Sequence, residues 1–109
     1  MIAKTVCSQA LLAVVLSLTG TVAFAQSGAE ATYKAKCQMC HGADGMAATP
    51  AGKAMKTLPF NDPQILKATD ADLIASTKNG KGKMPAYNGK LSDAEIKALI
   101  AFVHTLQKK

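Results

Sequence analysis

Residues 33–45 read "YKAKCQMCHGADG", and this stretch decides how the chain is understood. Cys37 and Cys40 stand three apart, and His41 directly follows the second thiol. Three chemistries bring two thiols and an imidazole this close: a disulfide, a metal site and a covalently held haem. A disulfide over so short a spacing closes a tiny loop and constrains the unfolded chain little. Choosing among the three requires knowing where the chain works and what the rest of it supplies.

The compartment is written upstream. Lys4 gives a short positive region, residues 10–18 form an apolar run broken only by Ser17, and Ala23-Phe24-Ala25 is an A-x-A cleavage signal. Together they predict a secretory signal peptide over residues 1–25, leaving 26–109 as a single domain exported to the periplasm. The apolar run is too short to span a bilayer, so no stable membrane insertion is expected. Cys7 leaves with the peptide.

What remains has a poor core for its size. Alanine dominates its apolar residues, tryptophan is absent, and Tyr33, Phe60, Tyr87 and Phe102 supply all the aromatic bulk. Domains this small are marginal even with rich cores, and a large apolar cofactor would fill the deficit. The whole chain carries a net charge of +6 with 13 basic residues, all of them lysine. Lysine without arginine argues against nucleic-acid readout, which leans on bidentate guanidinium contacts. A modest positive field suits steering toward acidic protein partners.

The periodicity is helical throughout. Ala29, Tyr33 and Cys37 recur every four residues, predicting a helix over residues 29–40 that ends at Gly42. Residues 42–60 are loop-like, with room for one helical turn around 53–56. Asp62-Pro63 is a cap followed by proline at the first position. Thr69-Asp70-Ala71-Asp72 is a capping box opening a helix through Lys78, closed by Asn79-Gly80. "GKGKMPAYNGK" (80–90) is a Gly/Lys/Pro loop. Ser92-Asp93-Ala94-Glu95 is a second capping box, after which Ile96, Leu99, Ile100, Val103 and Leu106 share one face. Lys108 and Lys109 suit the negative end of that helix. No alternating strand pattern occurs, so the expected fold class is all-α.

That class narrows the opening question. A thioredoxin-type dithiol belongs to a βαβ setting. A structural zinc site needs four ligands; Cys37, Cys40 and one histidine give three at most, and His41 abuts Cys40 awkwardly. C-x-x-C-H is the signature of c-type haem attachment: the two thiols form thioethers, and the next residue turns its imidazole toward the iron. Export agrees with it.

On "YKAKCQMCHG", "GKMPAY" (82–87) and "LSDAEIKALIAFVHTL" (91–106), the chain resembles the class I monohaem cytochromes c, of the short bacterial periplasmic kind. The resemblance implies a small cytochrome c fold, with N- and C-terminal helices packed together around one covalent haem c. Tyr33 would pack on the C-terminal helix, where Leu99 and Phe102 match the family's leucine and aromatic. It implies Cys37 and Cys40 as the haem thioethers and His41 as one axial iron ligand. It also implies a methionine opposite. Met39 lies on the proximal side, Met46 is only five residues past His41, and Met55 could reach; Met84, in the Gly/Lys loop before Pro85, is the expected ligand. Met46 and Met55 read as core filler, and His104 as a surface or helix-packing histidine. A carbonyl usually accepts from the second nitrogen of a ligating histidine, and Pro50 is the candidate. Tyr87 and Lys53 are weaker candidates to meet the propionates.

The function implied is that of a one-electron carrier, not an enzyme. It would be a soluble monomer shuttling between periplasmic or membrane-bound redox partners. Lys78, Lys81, Lys83 and Lys90, with no acid between the first and last, would guide an acidic partner to the exposed haem edge. The alternative is a haem protein with an open distal site, a peroxidase or gas binder.

Overall fold

A short-range rule set and one helix pairing account for the architecture. The computed structural model describes residues 21–107, with side chains from Gly28 onward. Residues 1–20, holding most of the expected export segment and Cys7, and the two terminal lysines lie outside the described residues. Six helices follow in order: α1 (Thr21–Lys36), α2 (Gln38–His41), α3 (Pro50–Ala54), α4 (Pro63–Lys67), α5 (Asp70–Asn79) and α6 (Asp93–Gln107). The described residues form no strand, only two single bridges, Lys81 with Met84 and Asn88 with Leu91.

Capping sets most of the boundaries. Asp62 caps α4 through Gln64 N–H, with Pro63 at the first position. Thr69 and Asp72 close a reciprocal capping box on α5. Ser92 and Glu95 do the same for α6: Glu95 N–H donates to Ser92 Oγ and Ser92 N–H to Glu95 Oε1, both at 3.1 Å. The Glu95 carboxyl sits below its usual range because these bonds favour the anion.

Three boundaries differ from expectation. Helix α1 begins at Thr21, ahead of the expected start at residue 29 and across the expected cleavage point after Ala25. The first helix breaks at Cys37, so the predicted 29–40 helix is α1 and α2 meeting at a bent residue with φ −117° and ψ −36°. The helical turn expected near 53–56 lies earlier, at Pro50–Ala54, capped by Thr49 with proline at the first position. It ends where Lys56 takes φ 53°.

The core is the α1–α6 contact. All five expected face residues of α6, namely Ile96, Leu99, Ile100, Val103 and Leu106, are buried. Tyr33 from α1, with Phe60 and Leu91, joins Ile96, Leu99, Val103 and Leu106 in one cluster, and Ala29 is buried as well. Tyr33 lies 5.1 Å from Phe102 in a tilted ring pair, as the family resemblance implied. Helix α5 packs on the other flank of α6, where His104 Nε2 meets Asp70 Oδ1 at 2.7 Å. His104 thus ties α6 to α5, as its reading as a packing residue had it.

Candidate functional site

The turn carrying Cys37, Cys40 and His41 is helical in its own right. His41 N–H donates to Cys37 C=O at 3.0 Å and Cys40 N–H to the same oxygen at 3.2 Å. That geometry puts both thiols and the imidazole on one short turn at the end of α1. Cys37 and Cys40 are half-buried and do not pair with each other as a disulfide. Burial pushes the Cys37 thiol up, only partly offset by Lys36. Among the described residues no three His, Cys, Asp or Glu side chains gather into a metal-holding group.

Phenol groups hold the two ends of this turn. Tyr33 Oη donates to Gly42 C=O, just past His41, in a buried bond. Tyr87 Oη donates to Lys36 C=O, just before Cys37, at 3.1 Å. The first tie is local; the second brings in the distant 80–90 loop. Gly42 itself, at φ 81° and ψ 159°, turns the chain where a side chain would be strained.

Helix α3 backs the turn closely. Thr49 Oγ1 donates to Met39 C=O at 2.6 Å, lies 3.3 Å from Cys40 C=O, and accepts from Gly52 N–H at 2.9 Å. A Cβ on Gly52 would come within 2.3 Å of Cys40 C=O. Neither Thr49 nor Gly52 was singled out from sequence. The signal was present: Thr49-Pro50 is the same cap-then-proline pair that marked α4.

His41 is placed differently from expectation in one respect. Pro50 does not receive its ring N–H: Nδ1 is buried without a hydrogen-bond partner. Pro50 opens α3, where a first-turn carbonyl points along the helix axis to later N–H groups. The imidazole instead lies against Phe60, ring centroids 4.7 Å apart and planes 18° from parallel. Burial lowers its basicity, which favours the neutral form that binds iron.

The Met84 loop is pinned to the end of α5. Tyr87 N–H donates to Thr77 C=O and Asn88 N–H to Lys78 C=O, each at 3.0 Å. Lys81 and Met84 exchange both backbone bonds. Gly80, at φ 77°, lets the loop close, since a Cβ there would sit 2.8 Å from Met84 C=O. Met84 is half-buried. Of the other methionines, Met39 is 77% exposed; Met55, expected as core filler, is instead 46% exposed; and Met46 Sδ is engaged by Asn61 Nδ2 at 3.6 Å. Lys78 is drawn into an ion pair with Asp93 at 3.0 Å, while Lys81, Lys83 and Lys90 are exposed.

These residues fit a haem. The two cysteines form no disulfide and are half-buried, and the imidazole, its basicity lowered by burial, has one buried nitrogen without a partner. Ile65, Ile74, Tyr87 and Cys37 carry the core out to the surface as half-buried apolar groups. Among the described residues, the exposed large apolar side chains, Met39, Met55, Leu58 and Leu66, all fall on the segment from α2 to α4.

Comparison with known proteins places this arrangement. Residues 24–103 match the family described as "Cytochrome C oxidase, cbb3-type, subunit III". The cbb3-type cytochrome c oxidase subunit CcoP of Azospirillum sp. (strain B510) is 37% identical over 97 residues, covering 84% of this chain and 33% of the relative. The chain therefore spans about a third of that protein's length. A cytochrome c6 of Picosynechococcus sp. is 31% identical over 105 residues, covering 85% of this chain and 90% of the relative. A solved structure, the KustC0563 c-type cytochrome, superposes with a TM-score of 0.62 at 28% identity, over 73% of this chain and 94% of that one. A matching sequence profile, a full-length relative and a shared helical frame agree: the chain belongs to the cytochrome c family, as a class I monohaem member whose cofactor is covalently bound haem c.

Proposed function

We propose that this protein is a soluble one-electron carrier of the periplasm, exported by cleavage after Ala25. Cys37 and Cys40 hold the haem as thioethers, and His41 and Met84 ligate the iron from opposite faces. The observation that carries the reading is the double tie of the Cys37–His41 turn. Its leading carbonyl is held by Tyr87 of the Met84 loop and its trailing carbonyl by Tyr33. The Tyr87 bond, spanning 51 residues in sequence, fixes the Met84 loop against this turn.

When bound, haem c supplies an iron that takes up and releases one electron, and thioether sulfur favours its reduced state. The chain does the rest. α2 presents the neutral imidazole, Phe60 backs it, and the α5-anchored loop presents the methionine. Were His41 and Met84 both to ligate the iron, these side chains on clamped segments would leave no open position for oxygen or peroxide. Lys81, Lys83 and Lys90 stand exposed on the Met84 loop and favour a brief, salt-sensitive encounter with an acidic partner surface. Lys78 contributes less because Asp93 neutralises it.

The test is spectroscopic. Alkaline pyridine should give a c-type haem spectrum that survives acid-acetone extraction. The reduced protein should bind carbon monoxide slowly at neutral pH, and Met84→Ala should bind it rapidly. Extractable haem would refute the attachment. Rapid carbon monoxide binding by the unaltered protein would instead support an open site. An unchanged low-spin spectrum in Met84→Ala would move the ligand to Met55 or His104.

A further inference from the structure

The axial imidazole is not gripped by the carbonyl expected to hold it, and the side chain that does meet it is tied to the far end of α6. Phe60 is buried, with its ring stacked on His41 at 4.7 Å. Its own backbone is held on both sides. Phe60 N–H donates to Gly45 C=O at 2.9 Å, and Gln107 Nε2 donates to Phe60 C=O at 3.1 Å. Gly45 leaves room for the ring: a Cβ there would come within 2.5 Å of Phe60 Cδ2. The Gln107 amide is oriented in turn. Since its nitrogen faces Phe60, its Oε1 faces His104 Nδ1 at 2.7 Å, and His104 Nε2 meets Asp70 Oδ1 at 2.7 Å. Both of these oxygens are acceptors, so the chain from α5 through the end of α6 to Phe60 is continuous when His104, as the imidazolium, donates from both ring nitrogens, and a ring stack continues it to His41.

We propose that Phe60 is a positioning residue that fixes the plane of the His41 imidazole, and that the Asp70–His104–Gln107 chain fixes Phe60. Rotation about the outer torsion of a histidine side chain is soft. The nearly parallel ring of Phe60 removes that freedom, because turning the imidazole would drive its edge into the phenyl face. The inference rests on the proposed ligation by His41, and concerns which residues orient that ligand.

The ferric holoprotein reports the ligand plane directly, because the spread and order of the haem ring-methyl proton resonances depend on it. Phe60→Leu should change that spread and order, and Phe60→Tyr, which keeps the ring, should restore the parent pattern. Gln107→Leu, on a half-buried residue at the edge of the fold, should shift the pattern in the same sense by a smaller amount. Folded Phe60→Leu with covalent haem and an unaltered methyl pattern overturns the proposal. Should Phe60→Leu not fold, Gln107→Leu decides, and an unaltered pattern there overturns it equally. If the unsubstituted protein carries no covalent haem, the attachment site itself fails, an outcome visible before any methyl shift is read.

Discussion

Tyr33→Phe isolates one hydroxyl. Tyr33 is 2% exposed, and its ring contacts with Phe102 and Phe60 survive the change. What is lost is the buried donor to Gly42 C=O, one residue past His41. An acceptor stranded in the interior costs about 1–3 kcal/mol. At ~4–8 °C per kcal/mol for a domain of this size, a loss of about 2 kcal/mol lowers Tm by ~8–16 °C. The effect has a pH signature. Burial holds the Tyr33 phenol far above its ordinary value, so the folded state keeps a proton that the unfolded state gives up near pH ~10. The hydroxyl's contribution is therefore fully present at neutral pH and diminishes only as pH rises past about 10. Thermal unfolding of both proteins between neutrality and mild alkali should show a constant gap. A Tyr33→Phe protein within ~0.3 kcal/mol of the parent would fall below the ordinary net worth of a hydrogen bond and refute the tie.

Three further perturbations probe the frame. Gly52→Ala forces a Cβ toward Cys40 C=O, and should cost about 1–3 kcal/mol or more and lower the fraction of chain carrying covalent haem; normal stability and loading would mean that α3 does not back the turn. Ile96→Ala, at a fully buried position, should cost ~2–5 kcal/mol by denaturant titration, whereas a loss under ~1 kcal/mol would deny the α1–α6 core. Glu95→Gln removes a carboxylate whose folded-state proton affinity is depressed by its bonds to Ser92. Its stabilising effect should be present above the ordinary carboxyl range and vanish as pH falls below about 4, so that parent and variant melt together in acid and apart at neutrality.

The parts of the fold legible in the sequence are those set by local chemistry. The stripe Ile96, Leu99, Ile100, Val103 and Leu106 is a 3.6-residue pattern, and every member is buried. The capping boxes at Thr69 and Ser92 announce themselves by residue type and spacing. Thr49-Pro50 carried the same kind of signal but lay in a segment read as loop. The break at Cys37 was hidden because its neighbours keep a helical period on both sides of it. The least legible features are nonlocal. Nothing near Phe60 states that its ring will meet His41, because that contact depends on Gly45 and Gln107 arriving from opposite directions. Nor does the lysine cluster reveal that Lys78 will be neutralised by Asp93, since that pairing requires α5 and α6 to converge.

Tyr87 shows how such nonlocal ties could serve electron transfer. Its N–H belongs to α5 through Thr77 C=O, and its hydroxyl reaches the end of α1 at Lys36 C=O, 51 residues away in sequence. One side chain therefore fixes the Met84 loop against both neighbours by bonds that involve no cofactor atom. Under the proposed ligation, the iron's two axial ligands sit on segments already held together by the polypeptide. A carrier benefits from this because each oxidation state then finds the same donor positions, and little structural rearrangement opposes the electron's arrival or departure. If ligand spacing were set by the metal bonds alone, either change of charge would let the loop drift. Held by Tyr87 and the α5 carbonyls, the loop must break protein hydrogen bonds before it can move.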